Sequence, residues 1–223
     1  MIEMPDFSKP YFYENNYNLT SDVNRLAKVL AHYEIYKLQH DVPGAIVECG
    51  VFKGSSLIRF TTIRHLMGNP VGKKVIGFDM FGEFPETKFD ADQKSRQKFI
   101  TDSGEQGIDE DQLMKVFKHK GIDQNVELVK GDVNITVPEY LKKNPELRIS
   151  LLNIDVDVYE ATKTCIESLY PHVVKGGVIV LDDYVSTFPG ANKAVEDYLR
   201  DKKVDIKRFP FSVTPCYFVK QEM

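Results

Sequence analysis

The sequence predicts an α/β fold, with a mostly parallel sheet and helices on both of its faces. Five short apolar segments within the 223 residues are each followed by a segment whose apolar residues recur at helical spacing. Strands that are joined through helices lie parallel, connected by right-handed crossovers. Two more apolar segments close the chain, so we expect seven strands, including an antiparallel strand at the C-terminal end.

The first half of the chain begins with a helix after LTSD, a capping-type start, because apolar residues recur at helical spacing over residues 23–33. The strand PGAIVECG comes next, followed by the helix SSLIRFTTIRHLMG, with Ser55 as its expected N-cap and Gly68 as its expected end. A second strand, KKVIGFD, ends on Asp79. Residues 80–108 are expected to form a long loop that contains some helix.

The second half continues the alternation from a helix at about 109–119. We expect the strand NVELVKGD, a short helix VPEYLKKN that begins at its proline, the strand RISLLNIDVD, the helix YEATKTCIESLYPHV, the strand GGVIVLDD, the helix GANKAVEDYLRD, and the closing strands DIKRFPF and PCYFVKQ as an antiparallel edge. No repeat or linker interrupts this order. The sequence therefore predicts a single domain over 1–223, with an N-terminal helical cap segment at 1–44 and the core at 45–223.

The composition restricts the function classes. The formal charge is −4 and the pI is about 5.8, which argues against a nucleic-acid or anionic-membrane partner. Apolar stretches stay below the roughly 18–20 residues of a membrane span. The acidic, aromatic start MIEMPDFSKPYFYENN differs from a signal peptide. Three separated cysteines indicate neither a disulfide framework nor a zinc site. We therefore expect a cytoplasmic protein.

Acidic residues stand where each of the five predicted parallel strands ends. One of them alone could serve only as a helix cap. Open α/β sheets, however, bind ligands beyond the carboxyl ends of their strands, where these acids would form one negative edge suited to cations or hydroxyl-rich ligands. The acids are Glu48, Asp79, Asp132, Asp155 with Asp157, and Asp182 with Asp183.

A glycine turn, VECGVFKGSS, joins the first parallel strand to its helix through Gly50 and Gly54. It matches neither G-x-G-x-x-G nor the P-loop pattern, which weakens the dinucleotide and nucleotide-triphosphate interpretations. Asp79 could accept hydrogen bonds from two ribose hydroxyls, and Asp132 could meet an adenine edge. These features suit S-adenosylmethionine, whose sulfonium charge also matches an acidic edge.

Five segments together resemble the macrocin O-methyltransferase (TylF-type) family: GAIVECGVFKGSS, IGFDMFGEFPE, LLNIDVDVYEAT, LYPHVVKGGVIVLDDY and PGANKAVEDYL. The resemblance runs in order from about residue 19 to the end of the chain. It implies the Rossmann-like fold of class I methyltransferases. It also implies S-adenosylmethionine as methyl donor, Mg²⁺ or another divalent cation, and a hydroxylated small molecule, sugar-containing, as acceptor.

The resemblance also implies roles for individual residues. The metal would be held by Asp155, Asp182 and Asp183, and Asp155 is expected to receive the proton of the acceptor hydroxyl. The residues expected near the cofactor are Glu48, Gly50, Ser55, Ser56, Asp79 and Asp132, with Phe81 flanking the adenosine and Thr20, Ser21 and Arg25 contributed by the N-terminal segment.

Other functions stay open from the residues alone. The acceptor could be a catechol-like or other non-sugar diol, or the transfer could be to nitrogen or to a protein. A nicotinamide-dependent oxidoreductase could use Asp79 for a ribose but lacks the third glycine of its fingerprint, and an α/β hydrolase lacks G-x-S-x-G. A non-catalytic binding protein is a further alternative. The edge strands and the aromatic N-terminus also leave room for a homo-oligomer.

Overall fold

A computed structural model describes residues 1–68, 71–185 and 187–221. Its six strands form one sheet in the order β3-β2-β1-β4-β5-β6, parallel except for β6, which pairs antiparallel with β5. The strands are β1 Ala45–Cys49, β2 Val75–Asp79, β3 Val126–Lys130, β4 Ile149–Ile154, β5 Val173–Leu181 and β6 Cys216–Val219. Every residue of β1 and β4 is buried, as expected for central strands covered on both faces.

Helices cover both faces of this sheet, which confirms the predicted architecture. They are α1 Pro10–Thr20, α2 Val23–Gln39, α3 Ser55–Leu66, α4 Asp90–Ser103, α5 Glu110–His119, α6 Val133–Lys143, α7 Tyr159–Leu169 and α8 Pro189–Leu199, with a short 3₁₀ helix at Tyr170–His172. One apolar core contains side chains of α2, α3 and α5, and the other contains side chains of α6, α7 and α8. None of the helices in the described part of the chain has the length and apolar character of a membrane span.

The sheet has six strands in the described residues, not the seven expected. The segment DIKRFPF makes only one isolated antiparallel bridge, in which Lys207 and Tyr217 exchange backbone hydrogen bonds of 2.7 and 2.8 Å. Pro210 and Pro215 have no amide hydrogen to donate to a ladder, and proline therefore limits strand pairing here.

Three local predictions also differ from the structure. The helix expected to begin at its proline begins five residues earlier, at Val133, and contains Pro138; Asp132 caps it by accepting a hydrogen bond from the Asn134 amide at 2.9 Å. The N-cap of α3 is Gly54, at φ 84°, rather than Ser55. Helix α1 lies in a stretch for which no separate helix was predicted.

Candidate active site

A cavity of about 1130 Å³ opens at the carboxyl edge of the sheet. Its walls come from the β1–α3 turn, the ends of the parallel strands, the α1–α2 segment and parts of residues 80–103. Eleven of the residues expected from the sequence line it: Ser21, Arg25, Gly50, Ser55, Ser56, Asp79, Asp132, Asp155, Asp157, Asp182 and Asp183. The topology rule for open α/β sheets thus located the cavity correctly.

Three residues expected near the cofactor lie behind the cavity wall or outside it. Glu48 is fully buried, where its carboxyl accepts hydrogen bonds from Ser56 Oγ at 2.8 Å and Asn153 Nδ2 at 3.1 Å. Burial raises the pKa of Glu48 to about 8, so it carries a proton near neutral pH. Phe81 is buried in the core on the α2–α3 side, and Thr20 is exposed, donating its hydroxyl to the Asn16 carbonyl.

The Gly50 turn places the end of β1 directly against the end of β4. Gly50 has φ 88°, and a Cβ built on it would lie 1.6 Å from the Asp155 carbonyl oxygen. The Asp155 amide in turn donates to the Cys49 carbonyl at 2.9 Å. The close approach to Asp155 leaves no space for a side chain at position 50, so only glycine fits there. The turn that would face a cofactor therefore contacts Asp155, the first residue of the acidic cluster.

Asp79 holds the same turn from the side of β2. One carboxylate oxygen accepts the amides of Val51 at 2.8 Å and Phe52 at 2.9 Å, and the other accepts the amide of Phe81 at 2.6 Å. Burial raises the pKa of Asp79, although these three hydrogen bonds oppose the shift. Asp79 therefore fixes the loop conformation in addition to lining the cavity.

Asp155, Asp182 and Asp183, called the acid triad below, converge after β4 and β5. Each offers one oxygen, and the three oxygens lie within 4.8 Å of one another. Asp182 and Asp183 are buried, and Asp182 Oδ1 has no hydrogen-bond partner among the described residues. Burial, followed by the charge of Asp182, raises the pKa of Asp155. An all-oxygen donor set with an unsatisfied buried oxygen fits Mg²⁺ or a similar hard cation.

Asp157 contacts the acid triad through its backbone amide. It adopts φ 61°, an uncommon conformation for a residue other than glycine, and its amide donates to Asp183 Oδ2 at 2.9 Å. Burial and then the charge of Asp155 raise the pKa of Asp157 to about 7. Backbone strain of this kind is concentrated at functional sites.

Lys28 of α2 reaches the triad from across the cavity. Its ammonium lies 2.6 Å from Asp182 Oδ2, and its side chain is 20% exposed. Burial alone would lower the pKa of Lys28, but the charges of Asp182, Asp155 and Asp183 raise it. No sequence motif drew attention to this residue, nor to Tyr17 and Arg59, which also line the cavity. Lys53 lines it too and lies within the glycine-turn segment, but no role was expected for it from the sequence.

A comparison with protein families identifies the family of this chain. The model of the family described as macrocin-O-methyltransferase (TylF) matches residues 20–220. The chain belongs to the macrocin O-methyltransferase (TylF) family. This match includes every strand described above and the whole acid triad.

Curated relatives of this TylF-family chain are named as O-methyltransferases. An 8-demethyl-8-(2,3-dimethoxy-alpha-L-rhamnosyl)-tetracenomycin-C 4'-O-methyltransferase from Streptomyces olivaceus is 29% identical over 72% of this chain. A demethyldecarbamoylnovobiocin O-methyltransferase from Streptomyces niveus is 27% identical over 71% of it. The chain spans 60% and 59% of the lengths of these two curated relatives.

Solved structures agree with the family assignment. A crystal structure of the calicheamicin methyltransferase CalS11 superposes with a TM-score of 0.72 at 28% identity, covering 92% of this chain and 83% of CalS11. An apo structure of the same protein, CalS11, described there as a TDP-rhamnose 3'-O-methyltransferase, gives a TM-score of 0.69 at 27% identity, covering 96% of this chain and 89% of that chain. These likenesses support the Rossmann-like methyltransferase fold.

Proposed function

We propose that this chain transfers a methyl group from S-adenosylmethionine to a hydroxyl of a sugar-containing small molecule, with a divalent cation held by the acid triad. The observation that carries the proposal is the direct contact between the Gly50 turn and Asp155. A methyl donor seated on that turn would lie beside a cation on the triad, within one cavity. Direct transfer between two reactants depends on this kind of positioning.

The cofactor side of the cavity consists of the turn and the acids that end β2 and β3. Gly50 leaves open backbone, and Ser55 begins α3 at the cavity wall. Asp79 offers carboxylate oxygens for ribose hydroxyls while it holds the turn, and Asp132 lies at the cavity wall, where an adenine edge could meet it. The positively charged sulfonium of S-adenosylmethionine also suits an acidic cavity.

An alcohol is a poor nucleophile, and a cation bound by the acid triad would activate it. A divalent cation lowers the pKa of a coordinated hydroxyl and orients it for attack. Asp155, Asp182 and Asp183 would hold that cation, and Asp155, next to the Gly50 turn, is the residue we expect to accept the hydroxyl proton. A sugar diol offers two adjacent oxygens to the same centre. The sugar assignment follows the rhamnose-directed activities named for the relatives.

Calorimetric titration with S-adenosylhomocysteine, with and without Mg²⁺, tests the cofactor. We expect saturable binding under both conditions, because the triad and the turn are separate ligand sets. No binding at millimolar S-adenosylhomocysteine would refute the methyltransferase assignment. NADH is the matched control, since an oxidoreductase would bind it through the same Asp79.

A labelled-methyl screen tests the acceptor. Rhamnose-bearing nucleotides and glycosides are compared with catechols in the presence of Mg²⁺ and in EDTA. We expect methyl incorporation into a sugar only when the cation is present. Transfer to a catechol alone would replace the sugar assignment, and full transfer in EDTA would remove the metal from the proposal.

A further inference from the structure

Lys28 is the cation that pairs with the acid triad. Its ammonium bonds Asp182 Oδ2 at 2.6 Å and makes no other hydrogen bond among the described residues. Asp155 and Asp183 have no ion pair of their own within the part of the chain that the structure describes. An ammonium on a four-carbon stem therefore supplies the positive charge that three converging carboxylates require.

We propose that Lys28 is the resident cation of the triad and that a divalent ion binds by displacing its ammonium from Asp182. Lys28 would thus determine the metal affinity of the site. This inference rests on the metal-binding part of the proposed function. It adds a residue that neither the family motifs nor the strand-end pattern contains.

The geometry of the triad leaves room for one cation. Three ligand oxygens within 4.8 Å of one another enclose a single position. Given metal–oxygen distances of about 2.1 Å for Mg²⁺, an ion on Asp182 Oδ1 would lie within roughly 7 Å of an ammonium that stayed in place, and an ion on Oδ2 would lie within roughly 5 Å of it. Two cations at either separation in a largely buried site repel each other strongly.

The Lys28 ammonium also has open space into which it can move. Lys28 lines the open cavity, and its flexible stem can swing the ammonium into solvent once Asp182 is occupied. The contrast on the same helix is Lys37, which is 42% exposed and pairs with Glu34 at 2.8 Å. Nine residues along α2 place Lys37 about 13 Å from Lys28, well away from the triad.

Titration calorimetry with Mn²⁺ as the probe ion tests the proposal on Lys28→Met, with Lys37→Met as the matched control. We expect Lys28→Met to bind Mn²⁺ about tenfold more tightly than the parent chain, because a competing charge has been removed. Lys37→Met should bind within about twofold of the parent. Circular dichroism verifies that each variant is folded.

A second experiment uses the unaltered chain, so it does not depend on how Lys28→Met folds. An amine-reactive acylating reagent is applied with and without saturating Mn²⁺, and each lysine is quantified by mass spectrometry. We expect acylation of Lys28 to rise severalfold with Mn²⁺, while the exposed Lys115 stays unchanged. Unchanged labelling of Lys28 on Mn²⁺ binding would overturn the displacement.

The outcomes separate this inference from the proposed function. If the parent chain binds Mn²⁺ and Lys28→Met binds it equally or more weakly, Lys28 only orients Asp182 and the inference is wrong. If neither protein binds Mn²⁺, the inference and the metal-binding part of the function fail together. The S-adenosylhomocysteine titration reports on the methyl donor in either case.

Discussion

The two edges of the parallel sheet bury charge in opposite ways. At the amino edge, Arg64, Lys73 and Lys220 are buried, and none of them forms an ion pair within the described residues. At the carboxyl edge, the acid triad is largely buried, and of its three carboxylates only that of Asp182 has an ion-pair partner in the same described ranges, Lys28.

The amino-edge cations donate to backbone and polar oxygens, and of their nitrogens only Arg64 Nε has no partner among the described residues. Arg64 donates to the carbonyls of Lys73 at 2.7 Å and Gln124 at 2.6 Å. Lys73 donates to Gln39 Oε1 at 2.9 Å, and Lys220 donates to the Val173 carbonyl at 2.8 Å. Each cation therefore joins the end of one element to the beginning of another.

This difference between the two edges indicates which buried charges are candidates for ligand binding. A buried charge whose hydrogen bonds are complete, such as Lys73, which donates to Gln39 and to Ser150 Oγ, stabilises the chain and leaves nothing for a ligand. A buried charge with an unsatisfied oxygen, such as Asp182, carries a cost that a ligand can remove. Variants at the two edges should therefore affect stability and ligand affinity in opposite proportions.

The largest effect is expected at the amino edge. Arg64→Met keeps the apolar stem but leaves several buried carbonyls without donors, and we expect a loss of about 3–5 kcal/mol in the free energy of unfolding. Urea denaturation measures it. The protein that remains folded should bind S-adenosylhomocysteine and Mn²⁺ as the parent does, and a selective loss of ligand affinity would contradict the division between the edges.

The opposite result is expected for Asp183→Asn at the carboxyl edge. The amide can still accept the Asp157 N–H, but a charged ligand atom is lost, so Mn²⁺ affinity should fall by at least about 100-fold. S-adenosylhomocysteine affinity should stay within about twofold. The free energy of unfolding should be unchanged or higher, because one repelling carboxylate has gone. A large loss of stability here would mean that the triad is structural.

The carboxyl edge could be predicted from the sequence because the relevant rules are local. Apolar runs that end on Asp79, Asp155 and Asp182 mark the strand ends, and the crossover rule places those ends at one edge. The prediction of a seventh strand was wrong for a reason that is also visible in the sequence. Pro210 and Pro215 interrupt the pairing of that segment.

Lys28 could not be predicted in the same way. The residues that mark the helical periodicity of α2 include Val23 and Leu26, yet these side chains are 83% and 53% exposed, while His32 and Tyr36 are buried. Which face of α2 packs is decided by α3 and the sheet, not by the hydrophobicity of the helix alone. The position of Lys28 over the triad depends on that packing.

A smaller effect concerns the proton on Glu48. Its pKa rises from 4.5 to about 8 in the folded chain, so the folded state binds the proton more tightly than the unfolded state between these values. Stability from this group is therefore present below pH 4.5 and is lost as the pH rises toward 8. Glu48→Gln should flatten this dependence and stabilise the chain by roughly 2 kcal/mol at pH 8.5.

The matched control for this pH experiment is Glu139→Gln on the exposed side of α6. Urea denaturation at pH 5 and pH 8.5 should show the same difference for this variant as for the parent. An unchanged pH slope in Glu48→Gln would show that Glu48 is ionised in the folded chain. Glutamine can also donate to Asn153 Oδ1, which has no partner among the described residues, so the variant should not lose packing.

The smallest effect is expected on the melting temperature when the metal is removed, because Lys28 pairs with the triad in the metal-free chain. Lys28 already neutralises part of the triad in the metal-free chain, so EDTA should lower the melting temperature of the parent by only about 1–3 °C. In Lys28→Met, the metal-free triad has no counter-charge and the ion binds more tightly, so the shift should be about twice as large. Differential scanning calorimetry in Mg²⁺ and in EDTA measures both. A parent chain that melts tens of degrees earlier in EDTA would mean that the metal, rather than Lys28, holds the three carboxylates together.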